Sequence, residues 1–293
     1  MDFSKLNNQI YFKNKFIRAE KAKIHVLNHS LHFATSVFEG IRVYNSKSLF
    51  LIDHIDRLFL SAKLMGLKQT VTKKNFEKII KKLIKVNKIK DGYIRPIIFR
   101  SSHSMSPDTS NCKSLLVVAV WEWGKLFGQE KGIKLDISKF PKLNNKIYPI
   151  QAKSSGSYQI SVISRINSKK KNYDDCLMLD LNGNIAESSA CNIFWTKKNR
   201  LYTSKEHSIL NGITRKAVIK ICDKNNIKYK IGDFNLDHLL KADSIFLTGT
   251  AAEIQPIKKI LNNKFKVNCK VMNFLKNEYE KIKINCPDKI HKI

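Results

Sequence analysis

The run Glu187-Ser-Ser-Ala-Cys-Asn192-Ile-Phe194 is the most informative part of this chain, and it continues through Leu201-Tyr-Thr203 to Leu210-Asn-Gly-Ile-Thr-Arg215. Glu187 follows the dipeptide Asn182-Gly183, a strong signal for a tight hairpin, so a strand beyond that turn can aim its carboxylate inward. The sequence Gly-Ile-Thr suits the first turn of a helix, where free N–H groups and the helix dipole favour a phosphate. Gly249-Thr250 offers a second turn of this kind. The pattern predicts a site for a ligand that carries a ring nitrogen and a phosphate.

Lys153 lies upstream of this run, in the small-residue segment Gln151-Ala-Lys-Ser-Ser-Gly-Ser-Tyr158. Small neighbours leave room for a flat ring, so this lysine suits a Schiff base to pyridoxal phosphate. A lysine held near its neutral form by desolvation and a cationic neighbour can be a nucleophile first and a general base later. On composition alone, the competing interpretation is one more surface lysine in a lysine-rich protein.

The run from Glu187 to Arg215 resembles the signature of the class IV aminotransferases, the fold-type IV pyridoxal phosphate enzymes, in residue types and in both gap lengths. Two further segments, His29-Ser-Leu-His-Phe-Ala-Thr-Ser-Val-Phe-Glu-Gly-Ile-Arg42 and Tyr93-Ile-Arg-Pro96, are similar to blocks of the branched-chain amino acid aminotransferases. The resemblance covers residues 10–257, nearly the whole chain. It implies an α/β (α+β) fold with a smaller N-terminal α/β domain, a larger C-terminal pseudo-barrel domain and the cofactor in the cleft between them.

The resemblance also implies roles for individual residues. Lys153 is expected to be the catalytic lysine, and Glu187 to pair with the pyridinium nitrogen, so that the ring stays protonated and acts as an electron sink. The expected cofactor-binding residues are Arg57, Lys153, Tyr158, Glu187, Ile213, Thr214, Gly249 and Thr250. The expected substrate-binding residues are Phe38, Tyr93, Arg95, Thr250 and Ala251.

The residues themselves leave plainer interpretations open. Thr214 is equally an ordinary residue at a helix start, Arg57 a surface charge, Tyr158 a half-buried core tyrosine and Glu187 a solvated glutamate beside a turn. The chain also departs from the usual family pattern, because Phe33 and Leu126 stand where tyrosines are common. Two hydroxyl groups that could bind the side-chain carboxylate of glutamate are then missing, although Arg95 can still serve.

The activity that the resemblance implies is reversible amino transfer between leucine, isoleucine or valine and 2-oxoglutarate, in two half-reactions through the pyridoxamine form. A D-amino acid aminotransferase or an aminodeoxychorismate lyase of the same fold is the alternative, since a fold does not fix a substrate. The resemblance implies a homodimer or a higher homo-oligomer. It leaves open the preferred substrates, and whether the polar loop 101–111 reaches a neighbouring subunit's site.

Composition restricts the remaining classes. The 293 residues include 54 Lys and Arg against 24 Asp and Glu, a formal net charge of +30. Lysines alternate with apolar residues, as in 76–84, which predicts the solvated faces of amphipathic helices and argues against a basic nucleic-acid-binding protein. No apolar run approaches the ~18 to 20 residues of a membrane span, and the N-terminus lacks a signal-peptide pattern. The six scattered cysteines predict reduced thiols and no metal site, and the protein is expected to be cytoplasmic.

The predicted elements alternate between strands and helices. We expect a smaller domain over 1–121, a linker over 122–131, where apolar periodicity lapses, and a larger domain over 132–293. The predicted strands are a hairpin over 9–18 and 21–27, then 49–52, 93–100, 114–123, 132–140, two over 176–192, 194–203 and 243–248. The predicted helices run from Asp53, as a cap, through Arg57 and Leu64, then over 73–88, 157–171, 212–226, 236–241 and the tail from Lys270.

Overall fold

The computed structural model describes residues 2–124, 126–128 and 130–285. The described residues divide into two compact units. The first unit contains 2–124, 152–156 and 284–285, and the second contains 126–128, 130–151 and 157–283. Both combine helices with a sheet, so the mixed α/β fold expected from the sequence is confirmed. The domain limits at 121, 122–131 and 132 stay a prediction.

The first unit is built on a seven-stranded antiparallel sheet. Its strands are β1 (Gln9–Phe12), β2 (Lys15–Arg18), β3 (Ser36–Phe38), β4 (Ile41–Tyr44), β5 (Lys47–Ser48), β6 (Gly92–Arg100) and β7 (Ser114–Glu122). The order is β2-β1-β7-β6-β4-β5, and β3 pairs with the other end of β6. Its helices are α1 (His29–Phe33), α2 (Leu51–Leu64) and α3 (Lys73–Val86).

The amphipathic pattern of α3 explains why this segment folds against the sheet. Phe76, Ile80 and Leu83 are fully buried, whereas the lysines between them point to solvent. Burying each such apolar side chain stabilises the fold by about 1.5–3 kcal/mol, which offsets the weak helix propensity of a lysine-rich segment. Thr72 begins the helix by accepting a hydrogen bond from the N–H of Asn75, at 3.2 Å.

The second unit contains a nine-stranded sheet, part of which closes on itself. Its strands are β8 (Ile133–Ile137), β9 (Asp175–Leu179), β10 (Ile185–Ser188), β11 (Asn192–Lys197), β12 (Arg200–Ser204), β13 (Tyr229–Gly232), β14 (Ser244–Gly249), β15 (Glu253–Ile260) and β16 (Asn263–Lys264). The order β10-β9-β8-β15-β14-β11 becomes a closed ring of six strands because β10 also pairs with β11. This is the pseudo-barrel that the resemblance implied.

Four helices accompany the barrel: α4 (Tyr158–Lys170), α5 (Ile213–Lys224), α6 (Leu236–Leu240) and α7 (Lys270–Ile284). The predicted helices over 73–88, 157–171, 212–226, 236–241 and from Lys270 are all confirmed, with ends within two residues except in the tail. The part of the tail beyond residue 285 lies outside the described residues. The predicted hairpin at Asn182-Gly183 is also confirmed, with Gly183 at a φ of 78° between β9 and β10.

Two predicted elements are wrong. The first hairpin forms entirely within 9–18, as β1 and β2, and 21–27 contains no strand because its apolar side chains Ile24, Val26 and Leu27 are exposed. Residues 49–52 do not form a strand either. The helix α2 already begins at Leu51 after Phe50, whose backbone adopts the left-handed conformation, so Asp53 lies in the first turn and is no cap.

Among the described residues, no helix is both long and apolar enough to cross a membrane. In the same part of the chain, no group of three or more His, Cys, Asp or Glu side chains is placed to hold a metal ion. The five described cysteines, Cys112, Cys176, Cys191, Cys222 and Cys269, form no disulfide with one another.

Candidate active site

The backbone around Lys153 is held onto the first unit by hydrogen bonds. Lys153 donates its N–H to Ser61 Oγ at 3.0 Å, and its carbonyl accepts the N–H of Phe38 at 3.0 Å. Ser155 donates its N–H to the carbonyl of Ser36 at 2.9 Å, and the two side-chain hydroxyls meet at 2.6 Å. The small residues that the sequence places beside Lys153 therefore allow two segments of backbone to approach closely.

The side chain of Lys153 lies in an environment that favours its neutral form. Burial and the positive charge of Arg57 lower the pKa of Lys153 from 10.5 to about 8, although Glu39 and Tyr93 oppose the shift. With a pKa of about 8, roughly a tenth of the amine is neutral at pH 7, several hundred times more than for an ordinary lysine. Lys153 thus has the reactivity that a nucleophilic lysine needs.

Arg57 projects from α2 into a buried ionic network with Glu39 and His54. Its Nε lies 2.5 Å from Glu39 Oε1, and its Nη2 lies 2.9 Å from Glu39 Oε2. His54 Nδ1 lies 2.7 Å from the same Oε2. Burial alone would raise the pKa of the fully buried Glu39, but Arg57 and His54 hold it well below its usual range. Glu39 is therefore a permanent carboxylate that fixes the orientation of the Arg57 guanidinium.

Phe38, Tyr93 and Arg95 gather in the same unit as Lys153. The Arg95 guanidinium lies 4.8 Å from the centre of the Phe38 ring and 5.5 Å from that of Tyr93, and Lys153 Nζ lies 5.0 Å from the Phe38 ring. A Cβ on Gly40 would stand 1.6 Å from Tyr93 Oη, so only glycine fits there. Arg95 Nε is buried and has no hydrogen-bond partner among the described residues. An aromatic surface with two cations suits a ligand that is part apolar and part carboxylate.

Glu187 lies on β10 of the second unit and is almost fully buried. Its Oε1 lies 2.9 Å from Lys142 Nζ, and its Oε2 accepts a hydrogen bond from Asn192 Nδ2 at 2.9 Å. Asn192 is its cross-strand partner on β11 and donates to the carbonyl of Leu210 as well, at 2.9 Å. The carboxylate is thus inward-facing, as the hairpin pattern predicts, and both of its oxygens have defined partners.

Lys142 is the residue of this cluster that sequence reasoning missed. Burial would lower the pKa of Lys142, but the nearby Glu187 and Tyr158 outweigh burial and raise it. Its Nζ also donates to Ser161 Oγ on α4, at 3.2 Å. Nothing in the sequence marks this lysine, because it lies outside the motif in a chain with lysines at nearly every turn. Glu39 lies within the segment 29–42, between Phe38 and Gly40, but no local pattern there indicates its ionic partners.

The two anion-binding turns predicted from the sequence both lie in the second unit. Ile213 and Thr214 are the first residues of α5, with Gly212 as the N-cap, and both are buried. A Cβ on Gly212 would stand 2.0 Å from Asn192 Oδ1, so glycine lets the start of α5 approach the strand that holds Glu187. The second turn follows Gly249, the last residue of β14, and joins it to β15 through Thr250, Ala251 and Ala252. A helix N-terminus and a turn with free N–H groups are both suited to a phosphate or a carboxylate.

The remaining predicted residues are placed as follows. Tyr158 begins α4 and is half-buried, close enough to Lys142 to affect its pKa. Leu126 donates its backbone N–H to the carbonyl of Ala251 at 3.1 Å. Phe33 is exposed and stacks on His29, whose Nε2 lies 2.9 Å from the carbonyl of Ser106 in the loop 101–111. Whether that loop contacts another subunit stays a prediction.

The predicted residues therefore form one cluster in each unit. Lys153, Arg57, Phe38, Tyr93 and Arg95 belong to the first unit, and Tyr158, Glu187, Ile213, Thr214, Gly249, Thr250 and Ala251 belong to the second. The first cluster offers a reactive amine and two guanidinium groups. The second offers a buried carboxylate and two anion-binding turns. These are the groups that an aldehyde cofactor with a basic ring nitrogen and a phosphate requires.

Comparison with known proteins identifies the class. The family model for amino-transferase class IV matches residues 36–260. A Rickettsia bellii protein named "Probable branched-chain-amino-acid aminotransferase" is 38% identical over 282 residues, with 93% of this chain and 95% of that protein covered. The branched-chain-amino-acid aminotransferase of Pseudomonas aeruginosa is 32% identical, with 89% and 87% covered. The chain belongs to the class IV aminotransferases.

Solved structures agree with that assignment. The T.th. branched-chain amino acid aminotransferase with pyridoxamine 5′-phosphate matches with a TM-score of 0.90 and 30% identity, covering 94% of each chain. The same protein has been solved with 4-methylvaleric acid and with N-(5′-phosphopyridoxyl)-L-glutamate. Within the class, the proteins to which this chain is similar are thus named for branched-chain amino acids. The resemblance stated from the sequence is confirmed.

Proposed function

We propose that this protein is a branched-chain amino acid aminotransferase that uses pyridoxal 5′-phosphate to transfer the amino group of leucine, isoleucine or valine to 2-oxoglutarate, reversibly. The single observation that carries the proposal is Lys153, a partly buried lysine whose pKa is lowered to about 8 by burial and by Arg57. The names of the relatives and the molecules bound to the T.th. enzyme support the substrate class. No observation favours the D-amino acid or aminodeoxychorismate alternatives.

The residues present fit pyridoxal phosphate. Lys153 would hold its aldehyde carbon, Glu187 its ring nitrogen and Tyr158 its 3′ oxygen. The phosphate would be held by Arg57 and by the N–H groups of Ile213, Thr214, Gly249 and Thr250, with the Thr214 hydroxyl as a further donor. The buried Glu187 carboxylate supports this assignment, because its oxygens are held by Lys142 and Asn192 and still have lone pairs that can accept a hydrogen bond from a protonated ring nitrogen. When bound, the cofactor supplies an electron sink for the substrate's α-carbon.

The chain's own groups then provide attachment and proton transfer. Lys153 would hold the aldehyde carbon through its neutral amine and, once the substrate amine has taken its place, would move a proton between the substrate's α-carbon and the cofactor's C4′ atom. Glu187 would accept a hydrogen bond from the ring nitrogen and keep it protonated. Lys142 and Asn192 hold the Glu187 carboxylate in a fixed orientation, so that no reorganisation is needed as charge develops.

Substrate binding is assigned to the aromatic and cationic groups of the first unit and to the β14–β15 turn. Phe38 would contact the branched side chain, while Tyr93, Arg95 and the N–H groups of Thr250 and Ala251 would bind carboxylates. The unpaired Nε of Arg95 supports a carboxylate ligand there. Because Phe33 and Leu126 supply no hydroxyl, we assign the side-chain carboxylate of the glutamate-like substrate to Arg95.

We further propose a homodimer, or a higher multiple of one, in the cytoplasm. The first unit exposes the large apolar side chains of Ile24, Val26, Leu27, Leu31 and Phe33, which supports burial against a second copy. The five described cysteines form no disulfide with one another, which supports a reducing compartment. Light scattering after gel filtration and fractionation of source cells test these two points. Binding to nucleic acid or to membranes is not part of the proposal.

The activity is tested by the absorbance of the purified protein between ~300 and 500 nm, before and after L-leucine, since the lysine-bound cofactor absorbs in this range. We expect a visible band that L-leucine converts to the pyridoxamine form and that 2-oxoglutarate restores. Lys153→Ala should abolish the conversion, while Lys68→Ala, at an exposed lysine, should leave it intact. A band that responds only to D-amino acids would replace the proposal with the D-specific alternative, and no band with added pyridoxal phosphate would refute it.

A further inference from the structure

A buried ion pair in the second unit has no role in the mechanism above. Lys283, in the last turn of α7, places its Nζ 2.9 Å from Glu253 Oε2 and 2.8 Å from Glu280 Oε1. Lys283 and Glu253 are both buried, with exposed fractions of 8% and 6%, whereas the Glu280 side chain is 47% exposed. Lys283, at the end of a lysine-rich helix, thus joins one interior carboxylate and one carboxylate at the surface.

Glu253 occupies a backbone position that glycine would normally take. It is the first residue of β15 and has a φ of 56°, in the left-handed region. Gly249 and Glu253 pair across the hairpin, and the loop between them consists of Thr250, Ala251 and Ala252. A residue with a side chain remains in this conformation only when surrounding contacts hold it there. The bond from Lys283 is such a contact, so it bears on the shape of the whole loop.

The same loop is the anion-binding turn assigned above. The carbonyl of Ala251 is fixed by the N–H of Leu126, and within the described part of the chain the N–H groups of Thr250 and Ala251 donate no hydrogen bond to other backbone atoms. Such N–H groups can bind a carboxylate or a phosphate. A bare carboxylate on Glu253 would repel that anion, whereas Lys283 balances the charge. The ion pair therefore has two effects on the loop. It holds the backbone conformation of Glu253, and it neutralises the Glu253 carboxylate.

We propose that Lys283 is a positioning residue, through which the C-terminal helix holds Glu253 and sets the affinity of the Thr250–Ala251 turn for the carboxylate of the amino acid and oxo acid substrates. This inference rests on the proposed function for the identity of the anion. The role of Lys283 in keeping the loop rigid does not depend on the proposed function. Lys283 touches neither substrate nor cofactor in this assignment.

The experiment compares four variants of the full-length, cofactor-loaded protein. Lys283→Met removes the clamp, Lys283→Arg keeps a cation there, and Glu253→Gln removes the carboxylate with little change in shape. Lys281→Met is the matched control, because Lys281 lies in the same helix turn and pairs with Glu278 but is mostly exposed. Two quantities are measured: hydrogen–deuterium exchange of the peptide covering 249–255, and the separate KM and kcat values for L-leucine and 2-oxoglutarate.

We expect Lys283→Met to raise exchange at the loop and to raise both KM values about tenfold, with kcat changed less than about twofold. Lys283→Arg should restore most of the parental values. Glu253→Gln should raise exchange as well but raise KM less, since it leaves no uncompensated negative charge to repel the substrate carboxylate. Lys281→Met should match the parent in every measurement. Circular dichroism confirms that each variant is folded, and Glu253→Gln tests the ion pair even if Lys283→Met does not fold.

Parental exchange and parental KM values in both Lys283→Met and Glu253→Gln would overturn the inference. Equal effects of Lys281→Met and Lys283→Met would also overturn it, because the effect would then belong to helix charge in general. If the parent shows no aminotransferase activity, the proposed function fails on that result alone. Hydrogen exchange still decides whether Lys283 holds the loop, since that measurement needs no turnover.

Discussion

The reactivity of Lys153 depends on the charges around it, and this gives a pH prediction. A lysine whose pKa is lowered to about 8 becomes a nucleophile as the pH rises through that value. We expect the rate at which the cofactor-free protein attaches pyridoxal, which has no phosphate, to rise with a midpoint near pH 8. Arg57→Gln removes the cation that lowers this pKa most and should move that midpoint upward by about one unit. Stopped-flow absorbance over pH 6 to 10, a range of about two units on either side of that pKa, measures it.

Pyridoxal is used because the loss of a phosphate contact at Arg57 then cannot change the result. Lys82→Gln, at an exposed lysine, is the matched control for the loss of one positive charge. An unshifted midpoint in Arg57→Gln would mean that Arg57 does not lower the pKa of Lys153.

The ion pair between Lys142 and Glu187 leads to a prediction about the stability of the cofactor-free protein. Removing it by Lys142→Met leaves the buried Glu187 carboxylate without its cation, which should destabilise the cofactor-free protein by about 2–4 kcal/mol. Pyridoxal phosphate would supply a replacement charge at the ring nitrogen, so the rise in Tm on cofactor addition should be larger in the variant than in the parent. Calorimetry with and without cofactor measures both, and Lys171→Met, which removes a half-exposed lysine from the buried Asp136, is the control. Equal increases in Tm would argue that Lys142 does not neutralise Glu187.

Among individual residues, the sequence identifies those whose chemistry belongs to a recognisable motif. Lys153 and Glu187 are of this kind, and the structure gives each the buried, charged environment that the motif suggests. Lys142, Glu39 and Lys283 could not be found in the same way. Each of these residues is important because of an ionic partner that lies far away in the sequence. In a chain with so many lysines, no local sequence pattern distinguishes a buried, paired lysine from a solvated one.

The close approach of the start of α5 to Asn192 on β11 leads to a prediction about Gly212. Gly212 begins the helix with an ordinary extended φ, so a side chain there is not excluded by backbone strain. The obstacle is space, because a Cβ would stand 2.0 Å from Asn192 Oδ1 and displace the amide that holds Glu187. We expect Gly212→Ala to destabilise the protein by about 1–3 kcal/mol and to weaken cofactor binding.

Urea unfolding and a fluorescence titration with pyridoxal phosphate measure the two effects of Gly212→Ala. Gly124→Ala is the matched control, since no atom lies within 4 Å of a Cβ added there. If Gly212→Ala and Gly124→Ala behave alike, the close approach of α5 to Asn192 is not what requires a glycine.

Long helices and strands with a regular apolar pattern could be predicted from the sequence, whereas short or fully buried elements could not. The helix α3 and the strands β6 and β7 were predicted almost to their ends, because each carries a full stripe of apolar residues. The strands β3, β4 and β15 were not predicted. Nearly every side chain of β4 and of the first half of β15 is buried, so they lack the alternation that marks a strand with one wet face. The start of α2 was missed because Phe50 adopts a left-handed conformation that no local pattern announces.

The whole molecule carries a formal charge of +30, and the structure places its lysines mostly on solvated faces such as that of α3. A field of this size acts over roughly one Debye length, about 10 Å at 0.1 M salt, and it attracts anions without regard to shape. The two proposed substrates differ in their net charge. Leucine is a zwitterion with no net charge, whereas 2-oxoglutarate is a dianion.

Salt should therefore separate the two half-reactions. We expect kcat/KM for 2-oxoglutarate to fall about three- to tenfold between 0.02 and 0.3 M salt, because screening removes the long-range attraction of a dianion to a basic surface. The value for L-leucine should change less than about twofold, since the field exerts no net force on a neutral molecule. Rapid-mixing absorbance of each half-reaction measures both values on the same cofactor. 4-Methyl-2-oxopentanoate, a monoanion of similar size, should give an intermediate dependence. If all three substrates respond equally, salt acts on the site itself and the charge of the molecule does not steer its substrates.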